Sequence, residues 1–307
     1  MAAWHLSAAC LVAFVCSLQA AENSLGIEIL PAPPYGRDAA SAGSSVQFAA
    51  WPTRVRDFEQ FVQATGYNAT AGALSLGRDG WKLRGDSWRH PGFKQGPDHP
   101  VICVSYFDAL AFCRWLTDTE RAAGRLDAQH CYRLPTDDEW QQLIDWVYGG
   151  AKFPWTQTST DLRAPKDWPP VWYQGNYAGE EVLESGFWPD GWDCAKGYRD
   201  DFAGTAPVSW GGSERWGYHD LSGNVRQWTG TTYRRELNRA ELRAAHPVLE
   251  KETSDAGSPM KVVRGSSWND YLPGLLELGT RTAREPRDRD SGLGFRIVLA
   301  PGDVPKD

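Results

Sequence analysis

The sequence predicts a single α+β domain with little regular secondary structure. Three helical patterns lie before residue 150, whereas Gly, Pro, Trp and Asp dominate the later part and regular periodicity disappears there. The 307 residues include 16 tryptophans, spread along the whole chain. One buried aromatic ring removes about 150–250 Å² from water without needing a helix or strand. A chain rich in tryptophan therefore suits a fold rich in loops, and we find no repeat or linker that would divide it.

The composition indicates a globular protein and argues against one class of partner. Hydrophobic residues make up 41% of the chain and charged residues 23%, as expected for a domain with a normal core. The net charge is −7 and no basic run is present. Nucleic-acid backbones are bound through clustered Lys and Arg. We therefore expect no nucleic-acid partner.

The N-terminal residues predict export. Residues 6–18 form an uncharged apolar run that ends at Gln19-Ala20-Ala21, too short to span a bilayer. We predict a signal peptide over residues 1–20 and a secreted or periplasmic protein, with a lipoprotein anchor at Cys10 or Cys16 as the less favoured alternative. No later segment is apolar enough to span a membrane. Residues 21–44, rich in Pro, Ala, Gly and Ser, predict a mobile lead-in to a domain over 45–303.

Four cysteines remain after the predicted leader: Cys103, Cys113, Cys131 and Cys194. Export would place them in an oxidising compartment, so we expect one or two structural disulfides. Four cysteines allow three pairings, and the sequence leaves the pairing open. Their spacing matches no metal-binding pattern.

The first two helical patterns have recognisable ends. The first runs from near Thr53 to Thr65, with Gly66 as its stop. The apolar run Val101-Ile-Cys-Val104 predicts a short strand. The second helix follows it, with Ser105 as the capping residue and Asp108 three positions later.

The third helix has the clearest start in the chain. Thr136-Asp-Asp-Glu139 is a capping box, and Gly149 ends the helical spacing that follows it. Later in the chain we predict only short strands, at Lys261–Arg264 and Phe295–Val298. Residues 232–257 are charged and predict a surface excursion.

Several motifs, in the same order along the chain, resemble the formylglycine-generating enzyme (sulfatase-modifying factor) family. The segments that carry the resemblance are Thr53–Val62, Trp88–Phe93, Val104–Ala109, Tyr132–Trp140, Gly223–Trp228, Arg264–Trp268 and Gly294–Arg296. They cover roughly residues 45–300. The resemblance implies the family's compact variant of the C-type lectin fold, with bound calcium as a stabilising ion.

The resemblance also indicates that the copper ligands of the family are missing from this chain. In that family two copper-binding cysteines, five residues apart, follow the Arg-Gly-Gly-Ser-Trp-like motif. Asp270 and Leu275 stand at those positions here. A carboxylate and an isobutyl group cannot replace two soft thiolates around Cu(I). We therefore expect the family's fold without a copper cofactor.

The resemblance implies two calcium loops. Their implied ligands are Asn176, Tyr177, Asp200 and Phe202 in the first loop, and Asp220, Gly223, Val225 and Gln227 in the second. Side-chain and backbone oxygens of this kind suit a hard cation. Gln227 stands where the family usually has Glu, which weakens the second site. Ordinary turn capping by Asp and Asn is the alternative for all of these positions.

The resemblance places a cleft beside Trp268, Asn269, Asp270 and Tyr271. Arg281 begins a charged stretch next to it that could recognise a peptide or an anionic ligand. We carry two main hypotheses: a calcium-stabilised binding protein for a peptide, protein or small ligand, and an enzyme with altered chemistry in the same cleft. A formylglycine-generating oxidase acting on a sulfatase cysteine is the alternative.

Overall fold

The computed structural model describes residues 21–32, 46–156, 169, 173–234 and 259–305. The predicted signal peptide, most of the predicted excursion over 232–257 and residues 33–45 lie outside the described residues. The helices are α1 (Val55–Thr65), α2 (Tyr106–Ala122), α3 (Asp137–Tyr148) and the single turn α4 (Pro273–Leu276). The strands are β1 (Ala21–Glu22), β2 (Glu28–Pro31), β3 (Gln47–Ala49), β4 (Ala73–Gly77), β5 (Gly80–Asp86), β6 (His130–Arg133), β7 (Arg226–Thr232), β8 (Lys261–Arg264), β9 (Arg281–Arg284), β10 (Leu293–Phe295) and β11 (Val298–Pro301).

The strands form three small sheets. Their orders are β1-β2-β3-β11-β6, β10-β7-β8-β9 and β4-β5. The pair β10 and β7 is parallel, with Leu293 opposite Arg226 and Phe295 opposite Trp228. This pairing brings two motifs about 70 residues apart in the sequence side by side.

The predicted helix ends are confirmed. The Ser105 hydroxyl accepts from Asp108 N at 3.2 Å, and Thr136 caps α3 in the same way. Gly66 and Gly149 follow α1 and α3 with φ of 67° and 66°, a left-handed conformation that glycine adopts without a Cβ clash. No helix in the described residues is both long and apolar enough to cross a membrane.

Two strand predictions need correction. Val101–Val104 is buried but irregular, because Cys103 has φ 59°, outside the extended region. The predicted strand Phe295–Val298 is instead the junction between β10 and β11, which belong to different sheets. The chain leaves one sheet at Phe295 and enters the other at Val298.

Part of the predicted mobile lead-in is ordered sheet. β2 pairs with β3, with Ile29 opposite Ala49 and Leu30 opposite Phe48. Ile27, Ile29 and Leu30 are buried. The Pro- and Ala-rich composition suggested a mobile segment, but these apolar residues anchor it in the core.

The structure also corrects the disulfide expectation. All four cysteines within the described residues are free and buried. Cys103 packs with Ile102 and Val225, while Cys194 lies in a separate cluster with Trp188. Cys103 and Cys194 therefore lie apart, whereas Cys113 of α2 and Cys131 of β6 lie close enough to interact electrostatically and are nevertheless free thiols.

The largest core cluster joins α1 and α2 to β7 and β10. Phe58 of α1 stacks on Phe112 of α2, with ring centroids 6.1 Å apart, and contacts Phe295 edge-on at 6.3 Å. Trp228 is fully buried, and its Nε1 donates to Val104 O at 3.0 Å. Aromatic rings therefore hold the loops to the helices, as the tryptophan content predicted.

Candidate functional site

The segment that follows β8 turns back on itself and buries a carboxylate. Asp270 N donates to Ser267 O at 2.9 Å, and Asp270 Oδ2 accepts from Ser267 N at 2.8 Å. Trp268 N donates to Asn224 O at 3.0 Å, which fixes the turn against the neighbouring loop. Asp270 is 1% exposed. The side chain therefore caps its own turn while remaining inside the protein.

Asp270 Oδ1 forms an ion pair with Arg226 Nη2, at the start of β7. The Arg226 side chain is 12% exposed. Burial raises the pKa of Asp270, while Arg226 and the Ser267 N–H favour the ionised form and oppose that shift. The carboxylate is thus bonded at both oxygens.

A cavity of ≈570 Å³, which we call the cleft cavity, opens beside this ion pair. Trp81 of β5, Trp192 and Tyr271 contribute aromatic surface, and Leu272 and Leu275 contribute apolar surface. Trp192 is 41% exposed and Leu272 51% exposed. Ligand pockets have this size range and this mixture of apolar walls with a few fixed polar groups.

The structure separates the predicted cleft residues. Asn269, Asp270 and Tyr271 line the cleft cavity. Trp268 is fully buried, and its Nε1 donates to Ser291 O at 2.7 Å. Trp268 therefore belongs to the core and does not line the cavity.

Arg281 also lies away from the cavity, because its Nε binds Asp137 Oδ2 at 2.7 Å. Arg284 lines the cavity instead, with Nη2 3.3 Å from Asp290 Oδ2. Side chains alternate between the two faces of a strand, so positions three apart in β9 point to opposite sides. That alternation could have identified Arg284 as a cavity residue from the sequence. No local sequence pattern marks Trp81 or Trp192 as cavity residues.

The described residues do not supply soft copper ligands here. Leu275 lines the cavity and Asp270 is paired with a guanidinium. Cys194 packs in the same apolar cluster as Trp268 and Tyr271, but it is a single thiol and does not line the cavity. No group of three or more His, Cys, Asp or Glu side chains that could hold a metal ion occurs in the described part of the chain.

The first predicted calcium loop brings oxygen atoms together. Asp200 Oδ2 accepts from Tyr177 N at 2.8 Å, and Asp200 Oδ1 accepts from Phe202 N at 3.0 Å. Asn176 Oδ1 is buried and has no hydrogen-bond partner. A buried acceptor without a donor costs free energy, so this atom favours a bound cation.

Glu181 adds a carboxylate that the sequence reasoning missed. Its Oε1 is buried and also lacks a hydrogen-bond partner. Burial, followed by the charge of Glu181, raises the pKa of Asp200 well above its usual value. Asp200 N donates to Glu181 Oε2 at 3.4 Å, so the two residues are neighbours, and carboxyl and amide oxygens are the ligand type that a hard cation such as calcium prefers.

The polar groups of the second predicted calcium loop form hydrogen bonds with one another. Gly223 O accepts from Val225 N at 2.7 Å, and Asp220 Oδ2 accepts from Asn224 Nδ2 at 3.2 Å. Asp220 and Asn224 both have positive φ, of 54° and 61°. This tight turn is closed by hydrogen bonds within the loop.

The Gln227 amide occupies the centre of that loop. Its Nε2 donates to Asp220 O at 2.8 Å, and its Oε1 accepts from Arg296 Nε at 3.1 Å. These two contacts fix the orientation of the amide, because a flipped amide would face donor with donor and acceptor with acceptor. The Gln227 amide oxygen therefore already accepts a hydrogen bond, and the positive charge of the adjacent Arg296 guanidinium disfavours a bound cation.

Comparisons with known proteins agree with the motifs. The family model described as "Sulfatase-modifying factor enzyme 1-like domain" matches residues 47–301. The chain is 27% identical to the inactive C-alpha-formylglycine-generating enzyme 2 of Mus musculus, over 89% of this chain and 83% of that protein. It is 30% identical to the formylglycine-generating enzyme of Mus musculus, over 79% of this chain. The aligned region spans 62% of that enzyme.

Comparison with solved structures agrees with this fold. PvdO from Pseudomonas aeruginosa has a TM-score of 0.57 and 18% identity, with 92% of this chain and 98% of that chain covered. At this identity the likeness concerns the fold alone. It confirms the predicted α+β fold class, with few helices and several small sheets.

Proposed function

Because this chain belongs to the family of sulfatase-modifying factor enzyme 1-like domains, we propose that it keeps the family's fold as a binding protein and does not perform copper-dependent oxidation. The observation that carries the proposal is the buried ion pair between Arg226 and Asp270. It stands at one of the two positions where the family resemblance places copper thiolates, and Leu275 stands at the other.

Copper is disfavoured there by ligand type and by charge. Cu(I) prefers thiolate and thioether ligands, and the cavity offers a carboxylate and a hydrocarbon. Asp270 is already paired with Arg226, so its negative charge is compensated and attracts an additional cation only weakly. One relative of similar length is itself named an inactive enzyme, which agrees with this proposal.

The cleft cavity supports binding better than catalysis. Asp270 is 1% exposed and each of its oxygens already accepts a hydrogen bond, so a substrate would have to open the cavity floor to reach it as a base. Trp81, Trp192 and Tyr271 provide aromatic surface around the polar floor. We propose that a peptide or small ligand inserts an apolar group between these rings.

The test uses the purified chain, a peptide that carries a sulfatase cysteine, copper and a reductant. We expect no mass change on the peptide cysteine, because no soft ligand pair can hold Cu(I) in the cavity. The formylglycine-generating enzyme of Mus musculus serves as the positive control. A mass loss that requires copper would overturn the proposal. Calorimetry with the same peptide separates binding without oxidation from absence of binding.

We also propose that one structural calcium ion binds at the first loop. Asn176 and Asp200 would supply side-chain oxygens there, and Glu181 is available as a further carboxylate. The ion would neutralise buried negative charge and hold together two segments separated by about 20 residues of sequence. Hydrogen bonding of Gln227 and the nearby Arg296 argue against a second ion at the other loop.

Chelation is expected to lower the melting temperature of the calcium-loaded chain by about 5 °C or more. An ion that binds only the folded state adds stability, and removing it exposes buried carboxyl groups to mutual repulsion. Asn176→Ala should abolish the difference between calcium and chelator, whereas Asn68→Ala, at an exposed position, should retain it. Scanning calorimetry with and without chelator makes the measurement, and an unchanged midpoint for the unaltered chain would refute the calcium site.

Export is a third part of the proposal and rests on the apolar run over residues 6–18. We expect the protein recovered from the medium or periplasm to begin at Ala21. Mass spectrometry of the intact protein makes the measurement. Recovery only as a chain that begins at Met1 would contradict cleavage.

A further inference from the structure

A second cavity lies apart from the cleft cavity. It has a volume of ≈560 Å³, and we call it the Glu214 cavity after the carboxyl group that lines it. The segment from Tyr173 to Ala178 runs between the two: Gly175 lines the Glu214 cavity, and Ala178 N donates to Asp270 O at 3.1 Å. Among the described residues, none lines both cavities. A ligand here would therefore be independent of the function proposed for the cleft.

Two buried polar atoms in the Glu214 cavity have no hydrogen-bond partner. They are Glu214 Oε2 and Tyr148 Oη, which lie close enough for the tyrosine hydroxyl to oppose the rise in the pKa of Glu214 without forming a well-aligned hydrogen bond. The other Glu214 oxygen, Oε1, accepts from Leu221 N at 3.3 Å, so the carboxyl group is held by the backbone with its second oxygen free. Leaving such atoms unpaired costs free energy, and native proteins rarely tolerate it without a bound group. Both atoms can accept a hydrogen bond from a ligand.

The charges around the cavity favour a cationic ligand. Glu214 and Asp220 both line it. Arg215, which also lines it, is exposed and lies over the Trp216 ring at 5.9 Å. Arg296 lies nearby, but it is buried and its guanidinium is bonded to backbone carbonyls and Gln227. Burial raises the pKa of Glu214 to about 7, as expected for a carboxyl group that lacks a full counter-charge.

The walls favour an organic cation over a bare metal ion. Tyr148, Tyr173 and Trp210 contribute aromatic rings, and Val147 and Pro154 contribute aliphatic surface. Aromatic faces attract ammonium groups, and the aliphatic surface favours a hydrocarbon body. A metal ion would leave those walls without a partner. The two unpaired acceptors need hydrogen-bond donors, which a primary ammonium provides together with a positive charge and a quaternary ammonium does not.

We propose that the Glu214 cavity binds a small primary ammonium ion with a short apolar or aromatic body. The ammonium group donates to Glu214 Oε2 and Tyr148 Oη, and the body packs against Trp210 and Tyr173. The cavity volume lies within the range of small-molecule sites.

The test is calorimetric titration of the full chain with benzylammonium chloride. Benzyl alcohol and sodium benzoate are the probes matched for shape, and calcium chloride alone tests the metal alternative. We expect saturable binding of benzylammonium, weaker binding of the alcohol and none of benzoate. Glu214→Gln keeps the Leu221 contact and removes the charge, so it should weaken benzylammonium at least about tenfold. Tyr148→Phe should weaken it by roughly threefold.

Glu184→Gln is the control variant, because Glu184 is 71% exposed and pairs with Arg199 outside the cavity. It should bind benzylammonium as the unaltered chain does. Melting curves verify that each variant is folded. The proposal fails if benzylammonium does not bind at millimolar concentration, if benzyl alcohol binds as tightly, or if Glu214→Gln has no effect. A different result would assign the cavity to a metal ion: calcium binds, Glu214→Gln abolishes that binding, and benzylammonium does not bind.

Discussion

Replacing Arg226 by Met is expected to lower the free energy of unfolding by about 3 kcal/mol. The substitution keeps most of the hydrocarbon stem and removes the guanidinium that neutralises Asp270. Asp270 is 1% exposed, so its carboxylate would stay buried without a counter-charge or would have to take up a proton. Urea denaturation at pH 7 measures the loss.

Two further variants make that experiment specific. Replacing both partners (Arg226→Met with Asp270→Leu) should recover most of the stability, because an apolar pair needs no charge compensation. Arg199→Met removes an ion pair at the surface, where Arg199 is 47% exposed, and should leave the urea midpoint nearly unchanged. A loss below about 1 kcal/mol for Arg226→Met would mean that the ion pair does not hold the cleft floor.

The helices were predictable because their signals are local. Ser105 and Thr136 cap α2 and α3 through hydrogen bonds to residues three positions later, and Gly66 and Gly149 end α1 and α3 in the left-handed region. Each signal fits within one helical turn and does not depend on the rest of the fold. The irregular path of Val101–Val104 depends instead on distant contacts, such as Cys103 N to Asp290 O at 3.0 Å.

The floor of the candidate site could not be predicted because its parts are far apart in sequence. Arg226 lies in the segment that resembles a calcium loop, and Asp270 lies 44 residues later in the segment that resembles the copper site. The resemblance identified the missing thiols but not the guanidinium that meets the new carboxylate. The aromatic walls come from Trp81 in a hairpin and Trp192 in a loop, and no periodicity links them.

Arg296 connects the parts of the fold that the small sheets leave separate. Its Nη1 donates to Ala49 O at 2.9 Å and Ala50 O at 2.8 Å, its Nη2 donates to His219 O, and its Nε donates to Gln227 Oε1 at 3.1 Å. The guanidinium is buried between β10 and β11, where the chain changes sheets. One side chain thus satisfies carbonyl groups that regular secondary structure leaves unpaired.

Replacing Arg296 by Met is therefore expected to lower the free energy of unfolding by about 3–5 kcal/mol. The thioether fills part of the volume, but the carbonyl groups of Ala49 and His219 and the Gln227 amide oxygen lose this donor, whereas Ala50 O keeps the bond from His219 N. Arg296→Lys should recover only part of the loss, because an ammonium keeps the charge but cannot reproduce the planar fork that reaches four acceptors. Urea denaturation compares the two variants. If Arg296→Met unfolds within about 1 kcal/mol of the unaltered chain, the bonds of this guanidinium do not join the two sheets.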